Sequence, residues 1–168
     1  MAETENQGAA PEAAAAEQPQ QILDLRRCYL KDASLEMPHA PDILLQAPED
    51  QPTVEFQFEV EPKALPVEGI CEVNVRGTVT VKAKDSVLFL VECKQAGIFA
   101  IAGYSPEELQ YLLNVYCPTV VYPYLRANMG DLISRTTLPT IYLPEVNFQT
   151  LYQQRLAQAQ AQAAGTAN

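Results

Sequence analysis

Two stretches of strict two-residue alternation constrain the fold of this chain more than any other feature. Val54, Phe56, Phe58 and Val60 alternate with Glu55, Gln57, Glu59 and Glu61. Cys71, Val73, Val75, Val79, Val81 and Ala83 alternate with Glu72, Asn74, Arg76, Thr78, Thr80 and Lys82. A period of two sends successive side chains to opposite faces, so both stretches predict strands with one apolar and one charged face. Gly77 interrupts the apolar row and predicts a bend or a bulge. Residues 62–69 read as the turn between these strands, and Lys84-Asp85-Ser86 as a tight connection into a third run, 87–94. In that run Val87, Phe89, Val91 and Cys93 form the inward row, and Leu88, Leu90, Glu92 and Lys94 the outward row. Two leucines on a face otherwise coated with carboxylates predict a contact spot. Residues 23–36 supply a fourth strand, whose alternation breaks at 26–29 and predicts a bulge or an edge there.

After Gly103 the period changes. Ser105-Pro106-Glu107-Glu108 is a helix start, with Ser as N-cap, Pro at the first helical position and Glu at the third. Leu109, Leu112, Leu113 and Tyr116 then share one face, and Cys117-Pro118 reads as the end of that helix. A second helix over 119–136 carries the apolar stripe Val121, Tyr122, Leu125, Met129, Leu132 and Ile133. Its far side shows Pro123, Ala127, Gly130 and Ser134, small enough for another backbone to approach; a plain small-residue surface is the alternative. Asn147 caps a final helix with Phe148, Leu151, Tyr152, Leu156 and Ala159 on one face. The expected architecture is α+β: a four-stranded antiparallel sheet with helices packed on one face. The domain spans 22–156, between an acidic tail (1–21) and an Ala/Gln-rich tail (157–168), both expected to be disordered.

The formal charge is −10, and it is unevenly spread. Residues 32–72 hold ten carboxylates against the single Lys63, whereas acids and bases balance over 93–168. An acidic face suits a basic partner and argues against nucleic acid, whose phosphates demand clustered Lys and Arg; a solvated sheet face is the alternative. No stretch is apolar enough for a membrane span, and the N-terminus lacks the basic and apolar regions of a signal peptide. Cys28, Cys71, Cys93 and Cys117 are too widely spaced for a metal site and read as small buried hydrophobes of a reducing compartment. The single histidine, His39, sits in a Pro-flanked loop. With no phosphate loop and no metal cluster, neither enzyme chemistry nor a cofactor is expected; an unrecognised catalytic site would need His39 and two carboxylates in one pocket.

Several stretches resemble the SecB family of protein-export chaperones. They are Tyr29-Leu30-Lys31-Asp32-Ala33-Ser34-Leu35-Glu36-Met37-Pro38, Gln95-Ala96-Gly97-Ile98-Phe99, Tyr116-Cys117-Pro118 with Tyr122-Pro123-Tyr124-Leu125-Arg126, and Leu143-Pro144-Glu145-Val146-Asn147-Phe148. They occur in order over about residues 22–156. The resemblance implies a cytoplasmic, ATP-independent holdase that keeps precursor proteins unfolded and passes them to the SecA translocation motor. It also implies a homotetramer, a dimer of dimers with the long helix in the interface, where Pro123, Ala127, Gly130 and Ser134 would lie. By position it puts Phe89, Tyr122, Tyr124 and Leu138 at a client-peptide groove, and Asp32, Glu36, Leu90 and Glu92 on the SecA-binding face. Three positions depart from the family pattern: Leu35 and Leu138 stand where a Phe is usual, and Asp50 where a Trp is frequent. A SecB-like chaperone dedicated to one antitoxin is the alternative on the same fold.

Overall fold

A computed structural model describes residues 20–45, 51–84 and 86–165. Four strands form one antiparallel sheet: β1 (Ile22–Glu36), β2 (Thr53–Ala64), β3 (Ile70–Ala83) and β4 (Ser86–Ala102), in the order β1-β4-β3-β2. A one-turn helix, α1 (Asp42–Leu45), lies between β1 and β2. After the sheet come α2 (Pro106–Tyr111), a π-helical turn (Leu112–Tyr116), α3 (Cys117–Ser134) and α4 (Phe148–Gly165). The expected α+β architecture is the observed one.

The core lies between the inner sheet face and α3. Val73, Val75, Val79 and Val81 of β3 and Phe89, Val91, Cys93 and Phe99 of β4 pack against Val121, Leu125, Met129 and Ile133. Gly77 is no bulge, because both neighbouring strands keep their register through it. A Cβ there would sit 2.7 Å from Met129 Sδ, so the missing side chain is a socket for the helix. Gly97 is a second socket, with Phe99 and Val121 carbons at 2.6 and 2.8 Å from a Cβ.

β2 runs on through Pro62 to Ala64, past the expected turn start; as an edge strand it has room for a residue that lacks an N–H. β4 extends to Ala102, well past 94. Between Val81 and Lys82 the β3–β4 register slips, with Lys82 facing Val87 but Val81 facing Phe89. Leu88 is the extra residue and is buried, so only Leu90 of the expected pair stays on the outer face. In β1 the register slips twice: at Leu25/Arg27, where the broken alternation predicted it, and again at Leu30/Asp32, just beyond the predicted stretch.

The helix start forms the full capping box: Ser105 Oγ accepts from Glu108 N, and Glu108 Oε2 accepts from Ser105 N at 2.8 Å, which lowers the Glu108 pKa. The helix does not end at Cys117-Pro118. Pro118 lacks an N–H and its ring would strike the Asn114 carbonyl, so the backbone widens and Cys117 N–H bonds to Leu112 O. The inserted residue shifts the helical phase. Val115 takes the buried position and Tyr116, expected inward, is exposed.

Asn147 caps α4, its Oδ1 accepting from Thr150 N at 3.0 Å. Where a flexible tail was expected after residue 156, α4 stays helical to Gly165. Ala and Gln favour helix, yet residues 157–162 are all exposed. The tail at 1–19, Asp50 and residues 166–168 lie outside the described residues.

Candidate functional site

The outer sheet face carries the four residues predicted for a basic partner. Register fixes their places: Glu36 opposite Leu90, Asp32 opposite Lys94, and Glu92 between Ser34 and Thr78. Leu90 is half-buried on this face, while Asp32 and Glu36 are exposed and make no ion pair among the described residues. Glu92 is different. Arg76 Nη2 donates to both of its oxygens at 2.7 Å, and Thr78 Oγ1 donates to it at 3.4 Å. Arg76 Nη1 also stands 3.6 Å from Glu59. Gln57, Glu59, Arg76, Thr78 and Glu92 line one shallow polar depression. The Glu92 hydrogen bond raises the Arg76 pKa, with Glu59 and Asp32 adding to it through space.

Three further carboxylates, Glu55, Glu61 and Glu72, are tied across strands. Lys82 reaches Glu55 and Lys94 reaches Glu61, each at 2.9 Å, and Lys94 lowers the Glu61 pKa. Next to them lies a buried polar clasp that the sequence did not reveal. Glu72, 5% exposed, accepts from Lys31 Nζ at 2.7 and 2.8 Å, from Asn74 Nδ2 at 3.1 Å and from the Tyr29 hydroxyl. Tyr29 and Lys31 belong to β1, and they reach β3 over Ala96 of the intervening β4, whose small side chain leaves the room. Burial alone would raise the Glu72 pKa; the hydrogen bonds from Lys31, Tyr29 and Asn74 hold it down to about 2. The same Glu72 bond pushes Tyr29 up to about 12. The broken alternation near Tyr29 was the only sequence signal for this cluster.

The four residues assigned to a client groove do not share one surface. Phe89 is 1% exposed and lies in the core. Tyr122 is 6% exposed; its ring makes edge contacts with Phe58 and Phe148 and its hydroxyl donates to Pro144 O. It therefore pins the segment before α4 onto α3. Leu138 packs half-buried against the core. Tyr124 alone is open, at 50% exposure. Tyr116, Val120 and Tyr124 recur every fourth residue, so they share one helix face, and the phase shift at Pro118 places Tyr116 there. A cleft lined by Val115, Thr119, Glu145, Val146 and Phe148 opens beside the Tyr122–Pro144 contact.

Pro123, Ala127 and Ser134 are exposed, and a Cβ on Gly130 would meet nothing within 4 Å. Cys71, Cys93 and Cys117 are buried and Cys28 half-buried, all as free thiols. Burial pushes the Cys93 thiol up to about 11 and Cys117 to about 12, so neither is a ready nucleophile. His39 is exposed in the turn before α1 and lines neither depression. Among the described residues no group of three His, Cys, Asp or Glu side chains could hold a metal, and no helix there is long and apolar enough to cross a membrane.

The model of one protein family, the preprotein translocase subunit SecB, matches residues 16–159. A protein-export protein SecB of Ralstonia nicotianae is 53% identical over 148 residues, covering 87% of this chain and 84% of the relative. A protein of the same name from Burkholderia multivorans is 50% identical over 148 residues, covering 88% and 91%. Among solved structures, a Mycobacterium tuberculosis SecB-like chaperone in complex with an antitoxin peptide superposes with a TM-score of 0.62 at 20% identity, over 74% of this chain and 91% of that one, which is a likeness of fold.

Proposed function

The chain belongs to the SecB family, and we propose from that premise that it is a cytoplasmic export chaperone that holds precursor proteins unfolded and hands them to the SecA motor. Holding needs no bond chemistry. An unfolded chain exposes apolar runs that a compact native protein hides, and a surface that covers them gains roughly 25 cal/mol per Å² of apolar area. The exposed Tyr116 and Tyr124, with the half-buried Val120 between them on the same helix face, are the capture surface in this reading. The acidic outer sheet face, with Asp32, Glu36 and Glu92 around Leu90, is the motor-binding surface. The observation that carries the assignment is this separation: an open aromatic ridge on a helix and a charged, nearly aromatic-free sheet face, on one small domain.

The same reading makes the protein a homotetramer, with Pro123, Ala127, Gly130 and Ser134 packed against another copy. Several weak capture sites on one assembly then engage one long client with avidity. The antitoxin-dedicated alternative is supported only by a structure at 20% identity, whereas the relatives at 50% and above carry the export name. Light scattering of the purified protein with and without an unfolded client tests the assignment, together with a pull-down from cytosol. The expected result is a mass of four chains that captures many unrelated precursors. Tyr124→Ser should weaken capture while SecA binding survives. Gly130→Leu should drop the mass toward two chains. Capture of one partner alone overturns the export reading in favour of the dedicated one.

A further inference from the structure

We infer that Arg76 is an internal counter-ion that sets how tightly, and how selectively, the acidic sheet face accepts a basic partner. The inference rests on the proposed motor-binding role of that face and adds a residue that opposes it. Arg76 stands at the middle of the outer face, on β3, opposite Glu59 of β2 and Lys94 of β4, with Glu92 diagonal to it two residues along β4; Lys94 itself is taken up by Glu61. Its guanidinium holds both oxygens of Glu92 at 2.7 Å and lies 3.6 Å from Glu59. Asp32 is close enough to act on it through space. The cation therefore already fills the position that a partner's lysine or arginine would seek. A partner binding at Glu92 either shares that carboxylate with Arg76 or displaces it, and in both cases meets a positive charge.

This placement separates two kinds of partner. One that also covers Leu90 and reaches Asp32 and Glu36, which make no ion pair among the described residues, gains contacts beyond those at Glu92. An unstructured polycation has charge alone to offer, and Arg76 cancels a share of it. Arg76 thus costs every cationic partner some affinity, but costs a purely electrostatic one a larger fraction of its binding. Like-charge opposition of this kind acts over a few ångströms near a surface and is screened by salt.

The test is calorimetric titration of SecA and, separately, of a short oligolysine peptide into the full-length protein and its variants at about 0.05 M and about 0.5 M salt, which span strong and weak screening. Arg76→Gln is expected to bind SecA about threefold more tightly at low salt and oligolysine about tenfold more tightly, with both gains vanishing at high salt. Arg76→Lys, which keeps the charge, should behave as wild type. Arg76→Thr, which suits a strand, is the second neutral variant, and thermal melting confirms that each is folded. Glu92→Lys identifies the face. If Glu92→Lys weakens SecA binding but neither neutral Arg76 variant tightens it, the counter-ion role is overturned and the motor-binding face stands. If Glu92→Lys leaves SecA binding unchanged, the face itself is not the docking surface and both fall. Weaker binding by the neutral variants would make Arg76 a support for Glu92 and would also overturn the inference.

Discussion

The two faces of one sheet are organised by different rules. The inner face meets α3 through size and shape: valines alternate along β3, and two glycines open sockets for Met129 and for Val121 with Phe99. The outer face is organised by partners. Arg76 is shared by Glu92 and Glu59, Lys94 goes to Glu61, Lys82 to Glu55, and Lys31 with Tyr29 to Glu72. A packed face is fixed by what fits, whereas a paired face is fixed by which charges the register brings opposite one another. The first is stiff and costly to change; the second leaves individual charges open to exchange with a partner.

The largest effects should therefore come from the inner face, and from its sockets before its apolar side chains are touched. Gly97→Ala drives a Cβ into the Phe99 ring and the branched Val121, neither of which can yield within a close-packed core. A loss of about 2–3 kcal/mol is expected in urea unfolding, the upper range for an overpacked core. Gly77→Ala meets the thioether of Met129, a flexible side chain that can turn aside, and should cost about 1 kcal/mol. Equal losses at the two positions would mean that socket shape does not matter and that strand propensity alone decides.

The ease of reading the two faces from sequence follows the same division. The inner row of β3, that of β4 from Phe89 onward, the Ser105 capping box and the Val121 to Ile133 stripe depend on residues near one another in the chain, where periodicity carries the information; Val87, expected inward, instead faces Lys82 of the outer row. The resemblance to SecB located the face around Asp32 and Glu92 but not its pairing. Arg76 and Glu92 are sixteen residues apart and Lys31 and Glu72 forty-one. Only the register of β1, β3 and β4 brings them together, and the slips at Leu25, Leu30 and Val81 change that register locally. Leu88 went to the wrong face for that reason, and Tyr116 did so because one π turn rotates everything before Pro118. Phe89 and Tyr122 were placed at a groove by position in the family, whereas the structure buries both in the core.

A middle-sized effect is expected where the outer face behaves like a core. Glu72 is buried on the solvent side of the sheet, and its carboxylate is held at a pKa of about 2, below the ordinary glutamate value of about 4.3. A depressed folded-state pKa means that the unfolded chain takes up the proton first as pH falls. The stabilisation is thus complete above the unfolded value and is lost between roughly pH 4.3 and pH 2. Glu72→Gln should remove about 1–2 kcal/mol at neutral pH, because Lys31 is left to water rather than buried unpaired. The variant should also lack the wild type's fall in stability across that acid window. Urea midpoints measured at pH 6 and pH 3 give the comparison. A Gln variant that loses stability in acid as steeply as wild type would show that Glu72 is not the group being protonated.

The smallest effects on folding, and the sharpest on function, belong to the paired and unpaired charges of the exposed face. Asp32→Asn and Glu92→Gln each remove one negative charge within the same proposed motor-binding surface. If that surface acts as a sum of charges, the two should weaken SecA binding equally. The pairing predicts otherwise. Asp32 has no ion-pair partner among the described residues and acts on Arg76 only through space, so its loss mainly removes attraction for the partner, and about a twofold weakening is expected at low salt. Loss of the Glu92 charge leaves Arg76 with Glu59 at 3.6 Å as its remaining ion-pair partner, so a cation now points at the approaching partner. About fivefold weakening is expected, and it should shrink with added salt more than the Asp32→Asn effect does. Adding Arg76→Gln to Glu92→Gln should recover most of that loss, since it removes the cation that the first change set free. Titration of SecA into the three proteins measures all of this. Equal weakening by the two single changes, with no recovery in the double, would reduce the outer face to its net charge.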